Sequence, residues 1–323
     1  MSKRSVALLV FIAATFGSGV LLAQGFPERP VRILVGYPPG GGTDLVARLI
    51  AQPLSERWRQ PVIVENRPGA NAIIATEAVS KAKPDGYTLL MAYATELAVN
   101  PATFKKLPYE PLRDLTPILQ LGSAPLVMAV HPSLAAQDVA GLIALAKAKP
   151  GGLSYSSSGN GSVHHFAGEL FKLRTGTDIV HIPYKGSGPA TADAVSGQVQ
   201  VTFASVASVL RFVQAGRLRA LAVTSKERSA QLPGVPTALE AGIHDLELTS
   251  WYGLLAPSGT PSEVIKRIAA DVLAVLAIPE TRNGFTAQGL AVAESSPEEF
   301  GRFIRDEASK YARIARAGNI QQE

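Results

Sequence analysis

Seven residues, Gly36-Tyr37-Pro38-Pro39-Gly40-Gly41-Gly42, place four glycines and two prolines between the apolar run 31–35 and a helical pattern. The run has strand character, and Leu45, Val46, Leu49 and Ile50 fall on one face of the helix that follows, with Thr43 or Asp44 as its expected cap. A strand that hands over to a helix through glycines turns several backbone N–H groups toward one point. The helix start adds the positive end of its dipole. The chemistry to expect here is capture of an anion.

Three nucleotide readings of this turn can be tested directly. A G-x-x-x-x-G-K-[ST] loop needs a lysine after its last glycine, and Gly42 is followed by Thr43. The G-x-G-x-x-G fingerprint can begin at Gly40 and Gly42, but its third glycine falls on Leu45. In its favour, a second strand at 61–65 ends in Glu65, about 20 residues on, where a ribose-binding acid would stand. A kinase needs far more than a glycine loop. A carboxylate is the better anion.

Candidates for catalysis are few. His131, His164, His165, His181 and His244 include no pair at metal-ligand spacing beside an acid. The adjacent His164 and His165 point about 100° apart on a helix. No G-x-S-x-G elbow occurs. The expectation is a protein with no catalytic residue, no metal and no cofactor.

What recurs is a device: glycine and hydroxyl residues where strands pass into helices, at 37–44, 156–162 and 185–191. A single instance is ordinary turn chemistry, but several together at the carboxyl ends of parallel strands mark where α/β sheets bind ligands. Charge-assisted hydrogen bonds contribute roughly 1.5–3 kcal/mol each and a helix start up to about 2. Micromolar capture needs about −8 kcal/mol, which three or four such bonds reach without an arginine clamp.

The elements that must position these turns read as an α/β chain. Strands at 31–35, 61–65 and 87–93 alternate with helices, the second of them at 72–82, and the alternation begins afresh at 126–130. In that second run, helices at 138–149, 163–174, 190–196 and 209–215 alternate with strands at 153–156, 179–184, 198–204 and 218–224. A long strand at 246–255 can return to the first unit. Pro53 should kink or break the first helix. Thr260-Pro261-Ser262-Glu263 and Ser296-Pro297-Glu298-Glu299 each read as a hydroxyl cap, a first-turn proline and a glutamate three residues on. The helices they open should cover the first unit.

Composition sets the outer bounds. The 323 residues suffice for two domains, and 46% hydrophobic with 18% charged residues describes a globular chain. Lys3-Arg4 followed by an apolar stretch and small residues near Ala23 read as a secretory signal over 1–25, with an uncleaved anchor as the competing reading. The chain has no cysteine, so thiolate chemistry, disulfides and a lipid-bearing cysteine are excluded. Net charge is +5, and loss of Lys3 and Arg4 with the signal leaves about +3, too little to argue for nucleic acid.

The motifs Y-P-P-G-G-G-T-D-L-V-A-R at 37–48, V-I-V-E-N-R-P-G-A at 62–70 and K-P-D-G-Y-T-L at 83–89 resemble the Bug receptors, the periplasmic solute-binding proteins of tripartite tricarboxylate transport systems. The likeness continues through L-P-Y-E-P at 107–111, H-I-P-Y-K-G-S-G-P-A at 181–190, A-G-R-L-R-A-L-A-V-T at 215–224, S-W-Y-G-L-L-A-P at 250–257 and S-P-E-E-F at 296–300. The resemblance implies a type II periplasmic-binding-protein fold, two doubly wound α/β lobes joined by two crossing strands, near 122–130 and 247–255. It divides the chain into a first lobe of 26–123 with 248–323 and a second of 124–247. It also implies a monomer in the periplasm that closes on a small carboxylate and passes it to membrane permease subunits.

In such a receptor the ligand is held by main-chain amides and bridging waters. The matching positions are Tyr37, Gly40, Gly41, Thr43 and Asp44 on one lobe, and Ser156, Ser162, His165, Tyr184, Lys185 and Gly186 on the other. Asp44 fits equally well as a helix cap. Two departures bear on the ligand. F-A-S-V-A at 203–207 puts Ala204 where family members often carry an acid that could pair with an amino group, which argues against an amino acid ligand. Thr95-Glu96 brings a carboxylate where a small hydroxyl is expected, with three readings open for Glu96: acceptor from a ligand hydroxyl, protonated acid, or solvent-facing side chain. An exported enzyme acting on a carboxylate, and a sensory partner of a membrane kinase, are the competing functions.

Overall fold

The glycine turn leaves β1 (Val31–Val35) and opens α1 (Gly42–Trp58), and the same alternation continues through β2 (Val62–Asn66), α2 (Ile73–Ser80) and β3 (Thr88–Tyr93). A wide turn, Thr95–Val99, runs into α3 (Asn100–Thr103), and α4 (Pro111–Asp114) leads to a 16-residue strand, β4 (Leu115–Val130). The second lobe adds α5 (Val139–Ala148), β5 (Ser154–Ser157), α6 (Val163–Thr175), β6 (Val180–Pro183), α7 (Ser187–Ser196), β7 (Val201–Ser205), α8 (Val206–Gln214) and β8 (Arg219–Val223). The chain returns through β9 (Thr249–Pro257) and ends with α9 (Ser262–Leu276), α10 (Pro279–Ala287), β10 (Ala291–Val292) and α11 (Pro297–Ala317). This computed structural model describes residues 25–321, so the expected signal, apart from Gly25, lies outside the described residues.

The two lobes share one plan. In the first, β1 pairs in parallel with β2 and β3, while β9 enters antiparallel between β3 and β4. In the second, β5 pairs in parallel with β6 and β7, while β4 enters antiparallel between β7 and β8. Each lobe therefore completes its sheet with a strand arriving from the other. Residues 115–125 of β4 pair with β9, and residues 126–130 pair with β7 and β8. On the return path the Leu248 N–H donates to the Thr224 carbonyl at 3.2 Å before β9 begins. Leu126 to Val130 are buried throughout, as expected of a strand covered on both faces.

Several sequence expectations are corrected. Helix α1 runs on through Pro53, because Ile50, Ala51, Leu54 and Trp58 are buried on both sides of it and hold the helix against the sheet. Its N-cap is Gly41, not Thr43 or Asp44. The second helix starts one residue later than expected, since Ala70, Asn71 and Ala72 take left-handed backbone (φ 47°, 52° and 67°). Thr260 does not cap α9: its hydroxyl donates to the Pro257 carbonyl at 2.7 Å and Pro261 is the N-cap. Ser296 does form the full capping box with Glu299. Helix α11 covers more than the first lobe. It packs Phe300 and Phe303 on Trp251 and Tyr311 on Phe166 of α6, so one apolar core runs behind both lobes.

Candidate functional site

The carboxyl ends of β1, β3, β5, β6 and β7 face a cavity of about 500 Å³ between the lobes. Four helices of nine residues or more begin at its wall: α1 from the first lobe, and α6, α7 and α8 from the second. The N-caps of three of these, Gly41, Gly186 and Ser205, make no side-chain capping bond, so their first N–H groups are left for a ligand. The fourth, α6, is capped by Ser162, whose hydroxyl accepts the His165 N–H at 3.2 Å. Among the described residues that line the cavity, only Lys185 carries a charge.

Sequence reasoning placed Tyr37, Gly40, Gly41, Thr43, Thr95, Ser162, Lys185 and Gly186 at the site, and all of these line the cavity. Gly40 needs its glycine for a φ of +80°. Gly42 needs its own because a Cβ there would lie 2.7 Å from the Tyr252 hydroxyl.

The other expected positions stand behind the wall. Asp44 is 2% exposed. Its carboxylate accepts the Gly40 N–H at 2.9 Å, Asn66 Nδ2 at 2.9 Å and Arg48 Nε at 3.0 Å, and so braces the turn from the rear. Burial would raise its pKa, but the bonds from Arg48, Gly40 and Asn66 outweigh that and hold it below the ordinary carboxylate range.

Glu96 is wholly buried: it accepts Tyr37 Oη at 2.8 Å and the Tyr93 N–H at 2.8 Å. Burial pushes its pKa up to about 7, against the lowering effect of those two bonds. It therefore touches Tyr37 and not the cavity.

Ser156 donates to Thr202 Oγ1 at 2.9 Å inside the sheet. The His165 ring stacks on His181 at 3.9 Å and accepts the Gly161 N–H at 3.1 Å, turned away from the cleft. Tyr184 donates to Asp193 at 2.7 Å. Ala204 sits in an apolar cluster with Val127, Val206 and Val209, and strand alternation gives the cleft to its neighbour Ser205.

Sequence reasoning missed His164, Asn71, Ser205, Ser250 and Tyr252, all of which line the cavity. His164 shares its Nδ1 with Ser158 Oγ at 2.6 Å, its Nε2 is buried without a partner, and burial lowers its pKa to about 4, so it is neutral. The signal for it was the start of α6: two adjacent histidines on a helix cannot both face the same side. Tyr93 and Tyr252 extend an aromatic wall from Tyr37, with ring centroids 6.0 and 5.1 Å apart in succession. Asn71, at the left-handed turn, reaches across the cleft mouth to the Asn160 carbonyl at 3.5 Å.

Comparison with known proteins agrees with this architecture. Residues 46–320 match the tripartite tricarboxylate transporter family receptor. Protein BugT of Bordetella pertussis is 37% identical over 317 residues, 98% of this chain and 97% of its own. A solved structure described as a periplasmic transporter is 41% identical with a TM-score of 0.84, covering 92% of this chain and 99% of its own. An adipate-bound protein of R. palustris is 34% identical with a TM-score of 0.85 over the same shares. These likenesses establish a periplasmic-binding-protein fold.

Proposed function

The chain belongs to the tripartite tricarboxylate transporter receptor family, and from that premise we propose that it captures a small carboxylate between its lobes and presents it to permease subunits in the membrane. The observation that carries the reading is the meeting of four helix starts, three without a side-chain cap, on a cavity whose one charged lining residue, among the described residues, is Lys185. A carboxylate there accepts main-chain N–H groups from both lobes at once. It therefore binds the closed form better than the open one and shifts the population toward it.

Residues 26–123 with 248–323 would move as one body and 124–247 as the other, bending in β4 and in the return to β9. The protein would act in the periplasm after loss of residues 1–25, as a monomer, without cofactor and without turnover of its ligand. The adipate-bound relative supports a carboxylate chain as ligand. Amino acids are disfavoured, because no acid lines the cavity among the described residues, and Asp44 and Glu96, each next to a lining residue in the chain, are buried.

A thermal-shift screen of residues 26–323 against mono-, di- and tricarboxylates, amino acids and nucleotides tests this, since a ligand of the folded state raises Tm by mass action. A shift with a carboxylate that is recovered unchanged is the expected result. A shift with a nucleotide alone, or consumption of the compound, would overturn the reading.

A further inference from the structure

Tyr37 has one hydroxyl hydrogen and two places to send it. Its ring lines the cavity beside the uncapped start of α1, and its Oη lies 2.8 Å from Glu96 Oε2. The other carboxyl oxygen of Glu96 accepts the Tyr93 N–H at 2.8 Å, and no lysine or arginine among the described residues forms an ion pair with it.

An ionised carboxylate can only accept hydrogen bonds. Ionised Glu96 therefore takes the hydrogen of Tyr37 and leaves the phenolic oxygen only lone pairs toward the cavity and the neighbouring Thr95 hydroxyl, so it has no hydrogen to give an anion. A protonated Glu96 donates to the Tyr37 oxygen instead and releases the Tyr37 hydrogen toward the cavity. We propose that the cleft binds its carboxylate together with one proton, held on Glu96, and that Glu96 is the positioning residue that decides whether Tyr37 donates to the ligand. This rests on the carboxylate reading above. No covalent bond changes; the proton comes from solvent and returns there on release.

The surroundings favour this coupling. Tyr93, Tyr109 and Tyr252 face Glu96 as neutral phenols, and the Tyr109 hydroxyl donates to the Glu96 carbonyl at 2.8 Å. Helix α11, packed over the Thr95–Val99 turn, carries Glu307, Lys310 and Tyr311. Glu307 there is engaged by Lys310 and by Trp251 Nε1 at 2.9 Å. On the β1–α1 side Asp44 and Arg48 are paired with each other. On the α2 side Glu77 and Lys81 are likewise paired, at the surface. Across the cavity stand Lys185 and the neutral His164. Burial brings the Glu96 carboxyl up to about 7, so near neutral pH it can hold or release the proton, while His164, His165 and His181, lowered to about 4, 4 and 3 by burial, do not titrate there.

The test is calorimetric titration with adipate, succinate and benzoate from pH 6 to 8.5, at constant salt, in two buffers of different ionisation enthalpy. The wild-type protein should take up close to one proton per ligand at pH 8, and its affinity should fall by about tenfold per pH unit above pH 7.5. Glu96→Gln, which keeps the shape and donates to Tyr37 permanently, should bind independently of pH and more tightly than wild type at pH 8.5. Tyr37→Phe should bind more weakly at pH 6.

Binding by the wild type with no proton uptake and a flat profile overturns the inference while leaving the receptor reading intact. So does a Glu96→Gln variant that keeps the slope. Binding of none of the three acids at pH 6, with no shift from any mono-, di- or tricarboxylate in the thermal screen, overturns the receptor reading and the inference with it. If Glu96→Gln fails to fold, the proton count of the wild type decides alone.

Discussion

The two lobes build the cleft from the same strand order, yet they differ in what stands behind the wall. The first lobe sets two buried acids behind its turns: Asp44, met by Arg48, Asn66 and the Gly40 N–H, and Glu96, met only by neutral donors. Among the described residues, the second lobe sets no fully buried acid behind its ligand-facing turns; half-buried Asp193 accepts the Tyr184 hydroxyl at the β6–α7 turn. This lobe offers three helix starts, the neutral His164 and the exposed Lys185. Identical topology thus leaves electrostatics to be decided by a few side chains behind the turns. The second lobe presents two uncapped helix starts and an exposed lysine to the cleft, whereas the first presents one uncapped start beside a tyrosine whose hydroxyl is engaged by Glu96.

The largest expected effect comes from importing an acid into the second lobe. Ala204→Asp places a carboxylate among Val127, Val206 and Val209, where no donor waits as Tyr37 and Tyr93 wait for Glu96. Leaving a buried charge without partners should cost about 3 kcal/mol or more, read as a lowered urea midpoint. A variant of wild-type stability that binds amino acids would put residue 204 in the cleft after all and erase the contrast.

A smaller effect separates the two acids of the first lobe. Glu96 has a pKa raised from 4.5 to about 7, so its contribution to stability is fully present below about pH 4.5 and is lost as pH rises through 7. The ligand-free protein should therefore lose up to roughly 3 kcal/mol of unfolding free energy between pH 5 and 8.5, and Glu96→Gln should remove most of that slope. Asp44 works in the opposite sense: its pKa is lowered, so its contribution is present above the ordinary carboxylate value and lost on acidification. Urea unfolding at several pH values reads both. A flat profile for the wild type would mean that Glu96 is as well compensated as Asp44.

The parts of this arrangement that sequence could reveal are those fixed by local backbone chemistry. The glycines leading into α1, the Ser296 capping box and the alternation of strands and helices follow from turn and cap rules, and they located the cleft-facing loops. Depth could not be read the same way. Asp44 and Glu96 sit next to lining residues in the chain, but one helical step or one wide turn puts them behind the wall. His164 and His165 are neighbours whose roles depend on which face of α6 meets the cleft. The length of β4 was concealed because Pro117, Gly122 and Pro125 interrupt its pattern, and the strand tolerates them where its register shifts, at 117–119 and 120–122, and at the passage between lobes. That α11 ties both lobes together depends on long-range packing of Trp251 and Phe166, which no local spacing announces.

The smallest effect tests the second lobe itself. Lys185 is exposed on the β6–α7 turn, so solvent and salt screen its attraction for a carboxylate. Lys185→Gln keeps a donor and much of the length while removing the charge. It should weaken carboxylate binding by about 1 kcal/mol, roughly fivefold in Kd, and most of that loss should vanish when titrations are repeated in high salt. The residual affinity would then belong to the helix starts, whose N–H groups remain in place whatever the ionic strength. A loss of about a hundredfold that persists in high salt would invert the assignment. Lys185 would then bind the ligand directly as a desolvated partner, and the uncapped N–H groups would serve mainly to shape the wall.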